Sequence, residues 1–137
     1  MDRTKLAEHI QELYQISPDH PFAKHPTFEA FRHQINPDHP FAKHPTFEAF
    51  RHQINRKWFA LVMDIPREKL GLEGDGMIDV VNVKCDPLLI GALRNQPGIY
   101  PAYHMNKTAW LSVALDGSVA DEQVKSLIEI SFDATGR

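Results

Sequence analysis

The chain has 137 residues, 42% of them hydrophobic and 24% charged, which is typical of one soluble globular domain with one core. The formal net charge of −3 excludes a strong overall attraction to nucleic acid but leaves room for a local basic patch. No apolar run reaches the length of a membrane span and the N-terminus lacks signal-peptide features, so we expect a cytoplasmic protein without a membrane partner. The single cysteine, Cys85, excludes an intramolecular disulfide and is expected to be buried.

The first predicted element is an amphipathic helix over residues 3–15. It is expected to end at Ser17, because the residue before Pro18 is pushed out of the α region. The side chains predicted on its apolar face are Leu6, Ile10, Leu13 and Tyr14.

A perfect tandem repeat follows, in which residues 18–36 recur unchanged as residues 37–55. Prolines exclude regular structure from the first half of each copy, whereas the second half fits either a strand or a helix. Two copies are too few for a solenoid, which needs three or more units. The pattern is typical of a tandem duplication in a domain that would be complete with 118 residues.

Position in the chain favours a strand for the second copy. A short turn separates Phe47–His52 from the strongest strand pattern, Trp58–Ile65, so a local hairpin has the lowest closure cost. The first copy is then expected to be an inserted loop, with a possible helical turn at Thr27–His33. In the alternative arrangement Phe28–His33 takes the strand, at a modest extra cost in loop entropy. We expect a monomer, with a strand-swapped dimer as the alternative.

The second half of the chain is predicted to alternate strands and helices. Residues 66–76 are predicted as a loop and Met77–Cys85 as a half-buried strand. Asp86 is predicted as the N-cap of a central helix, with Pro87 at the first helical position. The apolar face of this helix is predicted to contain Leu88, Leu89, Ala92 and Leu93.

Residues 99–109 are predicted as an irregular connection that leads into a strand at Trp110–Leu115. Ser118 and Asp121 form an approximate capping box, which starts the terminal helix. The inward side chains of that helix are predicted to be Val124, Leu127, Ile128 and Phe132. Short antiparallel connections predict an α+β fold, in which a twisted antiparallel sheet is packed by N-terminal, central and C-terminal helices.

Three blocks carry a family resemblance: NRKWFAL from Asn55, NVKCDP from Asn82, and YPAYHMNK from Tyr100. Together they resemble the YjbR/MmcQ family of small bacterial proteins, closely over about residues 40–133 and loosely over residues 1–16. The resemblance implies a frataxin-like (CyaY-like) fold and DNA binding through two protruding wings, and it supplies no catalytic residues. The 19-residue duplication departs from the family pattern at the first hairpin.

Two basic and polar stretches form the candidate nucleic-acid site. The residues are Arg51, Arg56 and Lys57 at the hairpin, with His104, Asn106 and Lys107 in the later connection. If the stretches meet at one edge of the sheet, cations contact phosphates while Asn106 or His104 reaches a base edge or sugar. Binding to double-stranded DNA is expected to be weak and steeply salt-dependent. The alternative is that these are solvated turn residues, with His104 and Asn106 bonding to their own backbone.

Enzymatic and metal-binding functions receive less support from the residues. Ser112 is predicted within a strand and Cys85 has no recognisable base partner, so no catalytic site is expected. Four histidines of the repeat lie on irregular chain that fixes no ligand geometry, so no metal or other cofactor is expected. These histidines are His20, His25, His39 and His44.

A second function class is a protein- or small-molecule-binding module. It would use the segment from Tyr100 to Lys107 together with Trp110. The aromatic rings of Tyr100, Tyr103 and Trp110 could line a ligand pocket, although such rings more often pack in the core or at its edge.

Overall fold

The structure, a computed structural model, describes residues 1–20 and 47–136. This part of the chain forms three α-helices, one short 3-10 helix and five β-strands. The helices are α1 (Arg3–Tyr14), α2 (Pro87–Leu93) and α3 (Asp121–Thr135), and the 3-10 helix spans Arg67–Leu70. The strands are β1 (Glu48–Arg51), β2 (Trp58–Pro66), β3 (Met77–Lys84), β4 (Ile99–Pro101) and β5 (Trp110–Ala114).

All five strands form one antiparallel sheet in the order β1-β2-β3-β5-β4. The short β1–β2 and β2–β3 connections place consecutive strands side by side, whereas β5 pairs with both β3 and β4. The predicted α+β class is therefore confirmed. None of the described helices is long and apolar enough to cross a bilayer.

The two faces of the sheet are covered differently. The helix face packs against all three helices, which contribute Leu6, Ile10, Ile90, Leu127 and Ile128 to one core. The opposite face, here called the loop face, carries a second cluster: Ala49, Leu61, Met63, Ile65, Ile78, Val80 and Ala114. Within the described residues this cluster is packed by side chains outside the α-helices, among them Leu70, Leu72, Tyr103 and Met105. Side chains of the connecting segments therefore contact the sheet on its loop face.

The predicted hairpin between the second repeat copy and the tryptophan-bearing strand is confirmed. Glu48 pairs with Val62 and Phe50 pairs with Ala60, but the next pair is Arg51 with Trp58. The register shift places Phe59 and Ala60 together in the helix-face core and leaves Trp58 packed on the loop face. The segment Thr27–His33 of the first copy lies outside the described residues.

The beginning of the first copy also joins the sheet. Asp19 and Ala49 exchange two backbone hydrogen bonds of 2.8 Å, which form an isolated antiparallel bridge on the outer side of β1. Asp19 belongs to the first copy and Ala49 to the second. Within the described residues, the start of the first copy therefore pairs with the end of the second copy in the sheet.

Two helices bury less than the sequence predicts. Leu6 and Ile10 of α1 are fully buried, but Leu13 is half exposed near the end of the helix. In α2, Asp86 caps the N-terminus and Pro87 begins the helix as predicted, but Leu88 is 88% exposed and Leu89 is 46% exposed. A helix of seven residues has only two turns, so its inward side is filled by Ile90, with Leu93 packed beside it.

Two boundaries also differ from the predictions. The terminal helix begins at Asp121 rather than near Ser118, because the Ser118 backbone N–H and hydroxyl both donate to Asp116 and Ala120 is the N-cap. The predicted irregular connection contains the edge strand β4, which is too short to show periodicity. Gly98 leads into this strand with φ +86°, and a Cβ there would lie 2.6 Å from side-chain atoms of Ser118 and Val119.

Candidate functional site

The hairpin places three candidate cations around its turn, but Asp19 offsets part of their charge. Arg51 Nε lies 2.9 Å from Asp19 Oδ2, and Arg56 Nη2 lies 4.0 Å from the same oxygen. Arg56 adopts the left-handed conformation with φ +64°, and both Arg56 and Lys57 are exposed. The sequence did not reveal Asp19 as a partner, because it lies 32 positions before Arg51 and still further before Arg56.

The turn itself is anchored to the end of α3. His52 Nε2 lies 2.8 Å from Thr135 Oγ1, and Asn55 Nδ2 donates to the Thr135 carbonyl at 2.9 Å. His52 is only 7% exposed, and its ring contacts Phe59 and Phe132. Burial lowers the pKa of His52, opposed by a hydrogen bond with the Phe132 backbone, and the nearby Lys57 charge lowers it further. The ring is therefore a neutral anchor of the hairpin at pH 7.

The second candidate stretch packs on the loop face, where hydrogen bonds to a buried polar pair hold it. Asn82 and Ser112 are fully buried opposite one another on β3 and β5. Ser112 donates to Asn82 Oδ1 at 2.5 Å, Asn82 Nδ2 donates to the Tyr103 carbonyl at 3.0 Å, and the Tyr103 N–H donates to Ser112 Oγ at 2.9 Å. Both backbone polar groups of Tyr103 are thus held by side chains of the sheet.

His104 and Asn106 adopt turn geometry within this stretch. His104 has φ +53°, a left-handed conformation that is uncommon outside glycine, and its ring lies 4.0 Å from the Tyr103 ring at 74°. Asn106 Oδ1 accepts hydrogen bonds from the backbone N–H and hydroxyl of Thr108 at 2.9 and 2.7 Å. For Asn106 the alternative of local backbone bonding is therefore observed, while His104 and Lys107 are exposed.

A cleft lies between residues 100–107 and the 3-10 helix. Its volume is about 340 Å³. The lining residues are Lys69, Leu70, Tyr100, Pro101, Ala102, Tyr103, His104 and Lys107. Two of the three predicted pocket aromatics, Tyr100 and Tyr103, are brought together here, whereas Trp110 is not among the lining residues. Lys69 was missed by the sequence interpretation, because it belongs to the loop between β2 and β3.

The strand register brings the hairpin and the start of β5, which follows the second candidate stretch, to the same end of the sheet. Cross-strand pairing places Arg51 beside Trp58, and Lys84 beside Trp110. Since β3 lies between β2 and β5, these pairs form one row across the loop face, here called the cation–tryptophan row. Lys84 was missed by the sequence interpretation, although its place at the polar end of the alternating strand was a usable signal.

Acidic side chains gather toward the other end of the strands, around Arg3 of α1. The guanidinium lies 3.4 Å from Glu48, 3.7 Å from Asp64 and 3.3 Å from Asp79. The carboxylates around Arg3 thus lie toward one end of the strands on the helix face, whereas the cation–tryptophan row lies toward the other end on the loop face. No group of three or more metal-ligating side chains is found within residues 1–20 and 47–136.

The remaining residues that were weighed as catalytic or metal-binding candidates lie in the core or on the surface where the structure describes them. The Cys85 thiol is buried as predicted, and burial raises its pKa. Ser112 is fully buried in β5 and hydrogen-bonded to Asn82. His20 is half exposed, 3.6 Å from Glu48, whereas the other repeat histidines in question, His25, His39 and His44, lie outside the described residues.

Known structures share this fold. A crystal structure of a Pseudomonas syringae protein superimposes with a TM-score of 0.81 at 42% identity, and the match covers 98% of this chain and 99% of the other. A crystal structure of a Deinococcus radiodurans protein has a TM-score of 0.62 at 21% identity, covering 96% of this chain and 75% of that one, which supports the fold alone. The frataxin-like relation stays a prediction.

Sequence relatives identify the family. The uncharacterized protein YyaQ of Bacillus subtilis is 41% identical over 135 residues, which cover 98% of each chain. The uncharacterized protein YjbR of Escherichia coli K12 is 40% identical over 53 residues, 38% of this chain and 45% of its own length. The YjbR family model matches residues 33–134. This match spans well over half of the sequence, and the chain therefore belongs to the YjbR family.

Proposed function

We propose that the chain is a non-enzymatic DNA-binding domain that contacts duplex DNA through the basic end of its sheet. The observation that carries this proposal is the cation–tryptophan row, which alternates Arg51, Trp58, Lys84 and Trp110 across four neighbouring strands. Lys57 and Lys107 are exposed, and they precede the two tryptophans of the row by one and three residues in the sequence. Arginine and lysine side chains contact phosphates and so position a protein on DNA, whereas amide and imidazole groups reach base edges or sugars.

The charge balance supports weak, salt-sensitive binding. The net charge of −3 gives no long-range attraction, so binding depends on the segregation of charge between the two ends. Asp19 already pairs with Arg51 and lies near Arg56, which lowers the local positive charge at the hairpin. We expect Lys57, Lys84 and Lys107 to contact phosphates as well, because Lys57 and Lys107 are exposed, Lys84 is partly exposed, and a cation that binds a phosphate releases counterions.

The non-enzymatic part of the proposal is supported by the settings of Ser112 and Cys85, the two nucleophiles considered in the sequence analysis. Ser112 is buried and its hydroxyl is committed to the Asn82–Tyr103 network. Cys85 is buried, and its raised pKa disfavours the reactive thiolate. Neither group has the exposed, base-activated setting that nucleophilic catalysis requires.

A salt titration with random-sequence duplex DNA tests the proposal. Binding is expected at about 50 mM salt, with log K falling linearly against log salt and a slope of about −0.9 for each phosphate contact. Replacing both Arg56 and Lys57 by alanine should weaken binding to all sequences and reduce the slope by up to about 2. Lys84→Gln should reduce the slope by about 1.

Lys5→Gln provides the matched control, since Lys5 is an exposed lysine on α1, away from the loop face. Its removal should leave the slope unchanged. Absence of binding at about 50 mM salt, where phosphate contacts are strongest, would overturn the proposal. An identical loss in the Lys5 variant would show general charge attraction instead of a site.

We infer a monomer as the binding unit. The Asp19 bridge pairs part of the outer edge of β1, and the other edge strand, β4, has three residues and ends in a proline. Short and partly covered edges disfavour pairing between chains. The cleft beside Tyr103 favours a second candidate function, binding of a small molecule, which is developed next.

A further inference from the structure

The cleft between the 3-10 helix and residues 100–107 has the dimensions of a ligand site. Its volume of about 340 Å³ lies in the range of small-molecule pockets, which starts at about 300 Å³. The wall formed by Tyr103 is fixed by the buried Asn82–Ser112 pair through both of its backbone polar groups. A wall that is already ordered loses little conformational entropy when a ligand binds.

The charges around the cleft select for an anion. Lys69 and Lys107 stand among the lining residues, and no aspartate or glutamate does. Within residues 1–20 and 47–136, neither lysine has a carboxylate partner closer than 4.0 Å among the ion pairs found. The lining also includes His104, which is exposed. Two lysines without local carboxylates suit a phosphate or carboxylate group.

The uncharged part of the lining selects for a planar apolar group. The rest of the lining consists of two aromatic residues, Tyr100 and Tyr103, and three apolar ones, Leu70, Pro101 and Ala102. Burial raises the pKa of Tyr103, so its ring stays neutral. Aromatic side chains stack on the planar rings of any base.

We propose that this tyrosine cleft binds a small phosphorylated compound with a planar aromatic ring, of which a nucleoside monophosphate is the simplest class. Lys69 and Lys107 hold the phosphate, and Tyr100 and Tyr103 contact the ring. None of Arg51, Trp58, Lys84 and Trp110 lines the cleft, so the site lies beside the cation–tryptophan row and shares with the DNA-binding proposal only His104 and Lys107. It goes beyond the DNA-binding proposal and does not depend on it.

Calorimetric titration with adenosine 5′-monophosphate tests the site. Saturable binding is expected with a Kd below about 1 mM. Adenosine and inorganic phosphate should each bind at least about tenfold more weakly, because each lacks one half of the recognised chemistry. Lys69→Gln and Lys107→Gln should each weaken binding by about tenfold. Tyr103→Leu should have a similar effect while leaving the backbone anchors of Tyr103 in place.

Lys5→Gln is the matched control, since it removes the same charge from α1, away from the loop face; affinity for the nucleotide should not change. Thermal unfolding of each variant shows whether the fold is kept. If a variant unfolds, amide chemical-shift changes in the wild-type protein decide the location, and they should centre on residues 100–107.

No saturable binding of the nucleotide, equal binding of adenosine, or an unchanged Kd in both lysine variants would each overturn the proposal. Loss of DNA binding in Lys57→Gln with normal nucleotide binding would separate the two sites.

Discussion

His52 links the hairpin to the body of the domain at the scale of a single residue. Its ring is buried against Phe59 and Phe132 and hydrogen-bonded to the Thr135 hydroxyl. This environment favours the neutral form of the imidazole. Burial is the main cause of its lowered pKa. The unfolded chain therefore binds a proton at this position more readily than the folded chain does.

This difference predicts a pH-dependent free energy of unfolding. The stabilisation is complete above the unfolded pKa of about 6.5 and is lost as the pH falls from there toward the lower folded pKa. Urea unfolding at pH 7.5 and pH 5.5 should show a smaller drop in His52→Gln than in the wild type, since glutamine cannot be protonated. Equal drops in the two proteins would assign the pH dependence to other histidines.

Residue-level prediction from the sequence was incomplete for physical reasons. The structure places Arg56, Lys57 and Lys107 in exposed turns and Arg51 at the end of β1, and the partners of these cations depend on tertiary register. Asp19 reaches Arg51 because the head of the repeat pairs with β1, and Lys84 reaches the row because β3 lies between β2 and β5. Neither relation is visible as a spacing along the chain.

The β1–β2 hairpin is the element around which the basic end is built. It was predictable because its two strands adjoin in sequence, and a short turn costs little loop entropy. The strand β4 was missed because three residues show no period, and the start of α3 was misplaced because Ser118 bonds to Asp116. Elements fixed by local sequence were thus predicted better than elements fixed by long-range pairing.

The split use of the repeat makes a prediction at the same scale. Asp19 and Ala49 are 30 positions apart, and deletion of residues 21–39 would leave them 11 apart while restoring one intact copy. Shorter loop closure should raise the free energy of unfolding by about 1 kcal/mol. Denaturant unfolding measures the change, and amide spectra of the shortened protein should overlay for residues 1–20 and 47–136. Loss of the fold or lower stability would show that the extra copy contributes contacts of its own.

At the scale of the whole molecule, the chain separates charge along its strands. Arg3 is surrounded by Glu48, Asp64 and Asp79 toward one end, whereas the cation–tryptophan row crosses the other. The α+β class and the family were predictable from element order and motif blocks. The segregation was not, because it depends on which strand ends lie together.

The most direct test of the basic end uses the tryptophans themselves, since the chain has two and both lie in the row. Intrinsic tryptophan emission should change saturably when duplex DNA is added at about 50 mM salt, and the change should reverse at about 500 mM salt. The change should also fall in parallel with affinity in Lys84→Gln. DNA binding that leaves the emission unaltered, or no binding at low salt, would contradict a DNA site on this row.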